Sequence, residues 1–484
     1  MKKMTAILLV LLFLLSAFSC AKAGNEGKET VPPTEAPEET ADPRTVPPVV
    51  PDDVKGNGST MLIQVEGWAF FSLLDVLDVA VEEDTGEPIN VAAFNRDRRV
   101  EQKLDVKIES DVYPDCDSSM TAIRKLIASG DSDVDLWLMR SAGFTTAIGE
   151  EMLNDIGSGE FGIFDPDKIW WDRNSYDSFS IADYHYGITG DFTTADDLTY
   201  WCVFFNKDMI KDYQLESPYD LVRDGGWTFD KMYDLAKVAA GDVNGNDPQS
   251  YDGQHGISMI RDVLAGSMNT SGITLMEKDG DDYPEFTFYT EDNVDKFLHL
   301  LDIYYDKDVV YNCHVQGGDE INIFTNGKTL FTLGGVYYGP SMRNTETDFG
   351  MLPMPKYEEE QVYISATSPL FLSILTVPKN NTDNNALRGA FMELYSCMGR
   401  ELIIPEFYDR LLDYKVARDD DSREMLDYIF GNTVYDIGGI FNLSNISFTL
   451  VDMMYTYNRN IASVWEANES KTEEALEKLL SKLF

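Results

Sequence analysis

Histidine is scarce in this chain of 484 residues, with four copies at 185, 255, 299 and 314. No H-E-x-x-H, G-x-S-x-G or P-loop pattern accompanies them, so nothing nominates a nucleophile or a catalytic metal. A glycosidase-type carboxylate pair is not excluded, because 84 acidic residues offer many combinations. Cysteine is nearly as rare: five residues, none in a C-x-x-C spacing, so no metal framework is visible. Lysine and arginine number 39 against those 84 acids, and the net charge of −45 disfavours nucleic acid and anionic lipid as partners. Beyond the first twenty residues no apolar run is long enough to span a bilayer, and no fixed-period repeat occurs, which excludes a polytopic membrane protein and a solenoid.

What is present begins with a targeting signal. Met1-Lys2-Lys3 is a basic start, residues 6–15 (AILLVLLFLL) are unbroken apolar, and Ser16-Ala17-Phe18-Ser19-Cys20 supplies small residues for cleavage. Residues 1–20 therefore read as a secretory signal peptide. Cys20 stands where a bacterial lipoprotein signal places its modified cysteine, with Ala17 where Leu is usual, so lipid anchoring to the outer face of the membrane is expected; plain secretion is the alternative. Residues 21–58 read as a disordered tether, since Glu29 to Asp53 holds seven prolines and seven acids and little that could build a core. As a mixed coil such a tether reaches roughly 30 to 40 Å.

The rest is long enough for two or three domains. Strand-sized runs rich in β-branched or aromatic residues fall at 61–65, 104–108, 134–139, 198–205, 329–335 and 370–377. Helical stripes lie between them. Met120, Ile123, Leu126 and Ile127 share one face, and Phe229, Met232, Tyr233, Ala236 and Ala240 another. Near the end, Ser470 and Glu473 form a capping-box pattern ahead of Ala475, Leu476, Leu479, Leu480 and Leu483, which predicts a docked final helix. Alternating strands and helices indicate α/β architecture. Cys202 lies inside the apolar run YWCVFF and reads as a buried thiol, while the pairing of Cys116, Cys202, Cys313 and Cys397 stays open.

Several blocks resemble a known family. They are EEDTGEPIN (82–90), NRDRRVE (95–101), LDVKI (104–108), WWDRNSYDSFSIADYHYGITGDF (170–192), FFNKDMIKDYQLESPYDLVRDGGWTFDKM (204–232), DFGMLPMPKY (348–357) and KVARDDDSREMLDYIF (415–430). Together they look like bacterial extracellular solute-binding proteins of ABC importers, similar to the maltose and oligosaccharide binders. The resemblance implies an α/β, two-lobed, periplasmic-binding-protein-like fold of type II with the ligand cleft between lobes. It places 59–200 plus 353–400 in lobe one, 201–352 plus 401–484 in lobe two, and a hinge near Tyr200 to Asn206. It implies a monomeric, non-enzymatic capture protein, without cofactor or metal, that delivers a sugar or oligosaccharide to the permease subunits of its importer. The ligand's identity does not carry over, because such lobes serve many ligands.

A sugar site needs aromatic plates for C–H faces and charged or amide groups for hydroxyls. Tyr337 and Tyr338 follow the strand TLFTLGG, at the turn where the resemblance implies a stacking ring. Arg140 and Ser141 follow VDLWLM at a strand end, which in open α/β sheets faces the crevice; Trp137, within the strand, reads as core. Tyr200 and Trp201 open the crossing strand, where at most one can face a ligand. Arg261 and Asp262 follow GISMI, and Glu66 and Trp68 follow the first strand. Trp170 and Trp171 read as structural. The 242–252 loop starts like a calcium site, but position 6 is Asp247 and position 12 is Gly253, so a turn is the better reading. Two rivals accompany the capture reading: a secreted carbohydrate-active enzyme and a surface glycan-adhesion module.

Overall fold

The structure, a computed structural model, describes residues 42–67, 78–130, 133–241, 247, 249–379, 384–413 and 420–484. From Arg44 onward these belong to one compact unit. The signal segment, Cys20, Trp68 and residues 242–246 of the candidate calcium loop lie outside the described residues.

Among the described residues, nine strands build the two main sheets: β1 (Ser59–Glu66), β2 (Val106–Tyr113), β3 (Leu136–Arg140), β4 (Trp201–Asn206), β5 (His255–Met259), β6 (Val310–Asn312), β7 (Thr329–Gly335), β8 (Phe349–Pro353) and β9 (Ser373–Thr376). The first sheet has the order β9-β3-β1-β2, with β1, β2 and β3 parallel and β9 antiparallel to β3. The second has the order β6-β5-β7-β4-β8, with β5, β6 and β7 parallel and β4 antiparallel to both its neighbours. Two lobes follow from this connectivity, because the chain leaves the first sheet before β4 and returns to it at β9.

The helices that bear on the site are α1 (Pro88–Leu104), α2 (Cys116–Ser129), α3 (Ser141–Gly149), α4 (Phe229–Ala239), α5 (Val263–Thr270), α6 (Asn385–Asp413) and α7 (Ile461–Leu483). Met120 and Ile123 of α2, and Phe229, Met232 and Ala236 of α4, point inward as their spacing requires. Strand β4 is buried along its whole length. Its alternate side chains feed different cores: Val203 and Phe205 pack with the second lobe, while Cys202 and Phe204 join a cluster containing Ala92 and Ala93 of α1, Ile403 and Phe407 of α6, and Phe371. That shared cluster ties the lobes together, and a strand serving two cores reads as an uninterrupted apolar run.

Three expectations change on inspection. The tether does not extend through residue 58: Val50 is buried in the first lobe's core, and the amides of Gly56 and Gly58 donate to the carbonyls of Leu104 and Asp105 at 2.8 Å. Spare carbonyls at the end of α1 give this acidic, proline-rich stretch backbone partners that its composition does not reveal. The final helix starts at Ile461 rather than near Ser470, because Asn460 caps it by accepting from the Ser463 amide and buried Ile461 and Trp465 extend the stripe backwards. Leu479 is buried as expected. The third concerns Leu104, expected to open a strand, which instead closes α1. All four described cysteines are free thiols, and Cys202 is buried.

Just before the crossing into β4 the chain is pinned by a buried arginine. The Arg96 guanidinium donates to Asp97 and to the Phe192 carbonyl, both at 3.0 Å, to the Tyr395 hydroxyl at 2.6 Å, and to the Asp78 carbonyl. It also lies 3.6 Å from the centre of the Tyr395 ring. Asp78 in turn accepts from Thr193 and Thr194, the latter through its amide at 2.7 Å. Removing one partner from such a network strands the others without water. Arg96→Met should therefore cost about 3 to 5 kcal/mol of stability, read by urea denaturation. A loss below about 1 kcal/mol would show that the cluster does not hold the crossing.

Candidate functional site

Parallel strands β1 and β3 end at Glu66 and Arg140, so both side chains lie on the carboxyl edge of the first sheet. Cys116 opens α2 beside Glu66, and Ser141 opens α3. Arg140 Nη1 donates to the Phe371 carbonyl at 2.9 Å and Ser141 Oγ to the Pro369 carbonyl at 2.7 Å, so both hold the segment leading into β9. Glu66 is 2% exposed, and among the described residues no hydrogen bond of good geometry reaches either carboxylate oxygen. Burial pushes it up to about 7, although the Arg140 amide and guanidinium and the Cys116 thiol pull it back. Burial, with the Glu66 charge second, pushes the Cys116 thiol up to about 12.

On the second sheet the carboxyl ends of β5, β6 and β7 lead into Arg261 and Asp262, His314, and Tyr337 and Tyr338, and antiparallel β4 starts there with Trp201. Arg261 pairs with Asp452 and lies 4.4 Å from the centre of the Tyr455 ring, while Asp262 is 3.5 Å from His314. Arg261 and Asp262 are partly exposed. The tyrosines are not. Tyr338 stacks on Phe204 at 6.2 Å and donates to Glu320, and Tyr337 meets Tyr338 edge-on at 4.8 Å. The expectation that one of these rings presents a stacking plate is not met in this structure, because Gly334 and Gly335 leave room for both to fold back onto β7.

Trp201 is buried over Gly266 of α5, where a Cβ would sit 2.5 Å from the indole. Its Nε1 has no acceptor among the described residues. Tyr200 points elsewhere, as successive strand residues must: its hydroxyl is 2.9 Å from Thr433 Oγ1 and its ring meets Phe430 edge-on. It leaves the group at the sheet edges. Trp170 and Trp171 donate their indole N–H groups to Glu393 of α6 at 2.9 and 2.8 Å, a structural role.

The two edges converge on residues 367–372. Arg140 and Ser141 grip this segment from the first sheet, and Phe371 packs in the same buried cluster as Tyr337 and Tyr338 from the second. Glu66, Arg140 and Ser141 thus form one group, Trp201, Arg261, Asp262, Tyr337 and Tyr338 another, and one short segment links them. Sequence reasoning missed Cys116, His314, Glu320, Asp452 and Tyr455. His314 was findable as the second residue after the strand VYN; Asp452 and Tyr455 arrive from far along the chain and carry no local signal.

No protein-family model matches the chain, and no curated protein matches it. Solved structures do. An ABC substrate-binding protein from Listeria monocytogenes in complex with cycloalternan superposes with a TM-score of 0.54 at 14% identity, covering 88% of this chain and 99% of that one. The galacto-N-biose/lacto-N-biose I-binding protein of an ABC transporter from Bifidobacterium longum, in complex with lacto-N-biose, gives 0.57 at 12% identity, covering 88% and 98%. A sugar transporter from Rhizobium etli in an open conformation gives 0.57 at 13%, covering 87% and 99%. This chain has the two-lobed α/β fold of these solute-binding proteins.

Glu66 yields a pH prediction. Its folded-state pKa is raised, so its contribution to stability is intact below about 4.5 and is lost as pH rises through about 7. Glu66→Gln should remove that loss and be the more stable protein at neutral pH by about 2 to 3 kcal/mol, converging with the parent near pH 4. Melting curves across this range decide it, and parallel pH profiles would contradict it.

Proposed function

We propose that this protein captures a sugar or oligosaccharide between its two lobes and hands it to an ABC importer without making or breaking a bond. The observation that carries the reading is the convergence of two carboxyl strand edges on one segment, each bearing a buried polar group that lacks a well-placed hydrogen bond among the described residues: the Glu66 carboxylate and the Trp201 indole N–H. In folded proteins such groups are usually satisfied by water or ligand. A carboxylate accepts from vicinal hydroxyls, a guanidinium forks onto two oxygens, and an indole donates, which is the set a polyol requires.

The fold supports the same reading, since its structural neighbours carry cycloalternan and lacto-N-biose. The signal sequence and Cys20 complete it: lipid-anchored on the outer face of the membrane, the chain would present its lobes to solvent and then to permease subunits. In this reading Glu66, Arg140, Ser141, Arg261 and Asp262 supply the polar edge. Tyr337 and Trp201 supply rings once hinge motion at residues 197–201 and 365–368 parts the lobes. Tyr200 and Tyr338 keep structural roles.

Calorimetric titration with cycloalternan, lacto-N-biose and unbranched glucose oligomers should give saturable binding of at least one. Arg140→Ala should weaken it at least tenfold while leaving the fold intact by circular dichroism. Hydrolysis of the bound sugar at enzymatic rates, or no binding across a broad glycan panel, would sink the proposal.

A further inference from the structure

A hollow lies where the chain passes between lobes. It encloses about 340 Å³ between the Trp171–Asn174 turn, the stretch from Gly190 to Tyr200, the Arg400 and Tyr408 face of α6, and Phe430 with Tyr435. Its walls combine carboxylates and rings. Asp172, Asp191, Asp196 and Asp197 supply the first, and Tyr200, Tyr408 and Phe430 the second.

Asp172 and Asp191 have side-chain donors, whereas Asp196 is satisfied on one oxygen only. Asp172 accepts from the Tyr435 hydroxyl at 2.8 Å and from the Asn174 amide, and Asp191 accepts from Arg400 at 3.3 Å. Asp196 is 7% exposed; its Oδ2 accepts from the Gly190 amide at 3.2 Å, but no donor among the described residues reaches its Oδ1. Asp197 stands next to it and adds a further carboxyl group to the same wall. The nearby cations do not balance this set: Arg173 is engaged at the rim by Asp167 and Asp177, and Arg400 faces Asp191. Burial above all, reinforced by neighbouring carboxylates, pushes Asp196 and Asp197 well above the carboxylate range.

A buried carboxylate oxygen without a donor is costly unless something outside the chain supplies one. The supplier this hollow fits is a cation with apolar flanks, since carboxylates take an ammonium group while tyrosine and phenylalanine faces attract the charge and cover its methylenes. A divalent metal fits less well. Among the described residues, no three such side chains stand where they could hold one. We propose that the hollow is a second binding site, separate from the sugar crevice, and that it takes a small alkyl diamine or polyamine whose ammonium group sits on Asp196 and Asp197.

The test is calorimetry and thermal shift on the purified protein with 1,4-diaminobutane and spermidine, alongside magnesium, calcium and an uncharged disaccharide. At least one amine should bind saturably and raise the melting temperature. Asp196→Asn, which keeps an oxygen for the Gly190 amide while removing the charge, should weaken that binding at least tenfold. Asp197→Asn should do likewise, and it decides the matter if the first variant does not fold. Absence of saturable amine binding overturns the proposal, and so does amine binding that both substitutions leave unchanged. Binding of a metal or the disaccharide that responds to them in place of the amine also overturns it. Sugar capture is read separately, by titrating the unsubstituted protein with oligosaccharide, so the two proposals fail independently.

Discussion

The passage of the chain out of the first sheet into β4 is the constraint on which the rest depends. Two α/β bodies joined by short segments keep a defined relation only if those segments are anchored at their roots, and Arg96 anchors this one. Its guanidinium reaches the Phe192 carbonyl, Tyr395 of α6 and the Asp78 carbonyl, while Asp78 takes the hydroxyls of Thr193 and Thr194. A buried cation with this many directed bonds costs desolvation but fixes geometry, because any shift leaves charge unpaired in a low-dielectric core. Everything after residue 194 inherits its starting direction from that cluster.

From that anchor the placement of the polar groups follows. Strand β4 enters the second sheet antiparallel to β7, which brings Trp201 to the same edge as the residues following β5 and β7. Residues 367–372 return beside it, with the Ser368 amide on the Thr199 carbonyl, before β9 rejoins the first sheet against β3. Arg140 and Ser141 therefore hold a segment whose Phe371 packs with Tyr337 and Tyr338, although β3 stays in its own sheet. An incompletely paired carboxylate at such a place is a cost to the isolated chain, and a ligand that supplies hydroxyls removes it.

Much of this was legible in the sequence, for stated reasons. The strand-sized runs and helical stripes located β1, β3, β4, β7, α2 and α4, because hydrophobic periodicity is a local signal. The family blocks implied the two-lobed fold, which the solved structures share. Strand ends pointed to Glu66, Arg140 and Arg261, since the position of a residue after a strand is also local. Side-chain direction and packing partners were harder. Tyr337 and Tyr338 turn inward because two preceding glycines leave space, and Tyr200 turns away from Trp201 because the pleat alternates. The Asp452 partner of Arg261 and the packing of Val50 depend on contacts between distant parts of the chain, which no window reveals.

The claim that both sheet edges serve one ligand is tested most directly by hydrogen–deuterium exchange with and without a saturating oligosaccharide. Simultaneous slowing at the amides around Glu66 and Ser141 on one lobe, and around Asp262 and Tyr337 on the other, is the result the structure predicts. Slowing confined to a single lobe, or none at a concentration where calorimetry reports saturation, would contradict it.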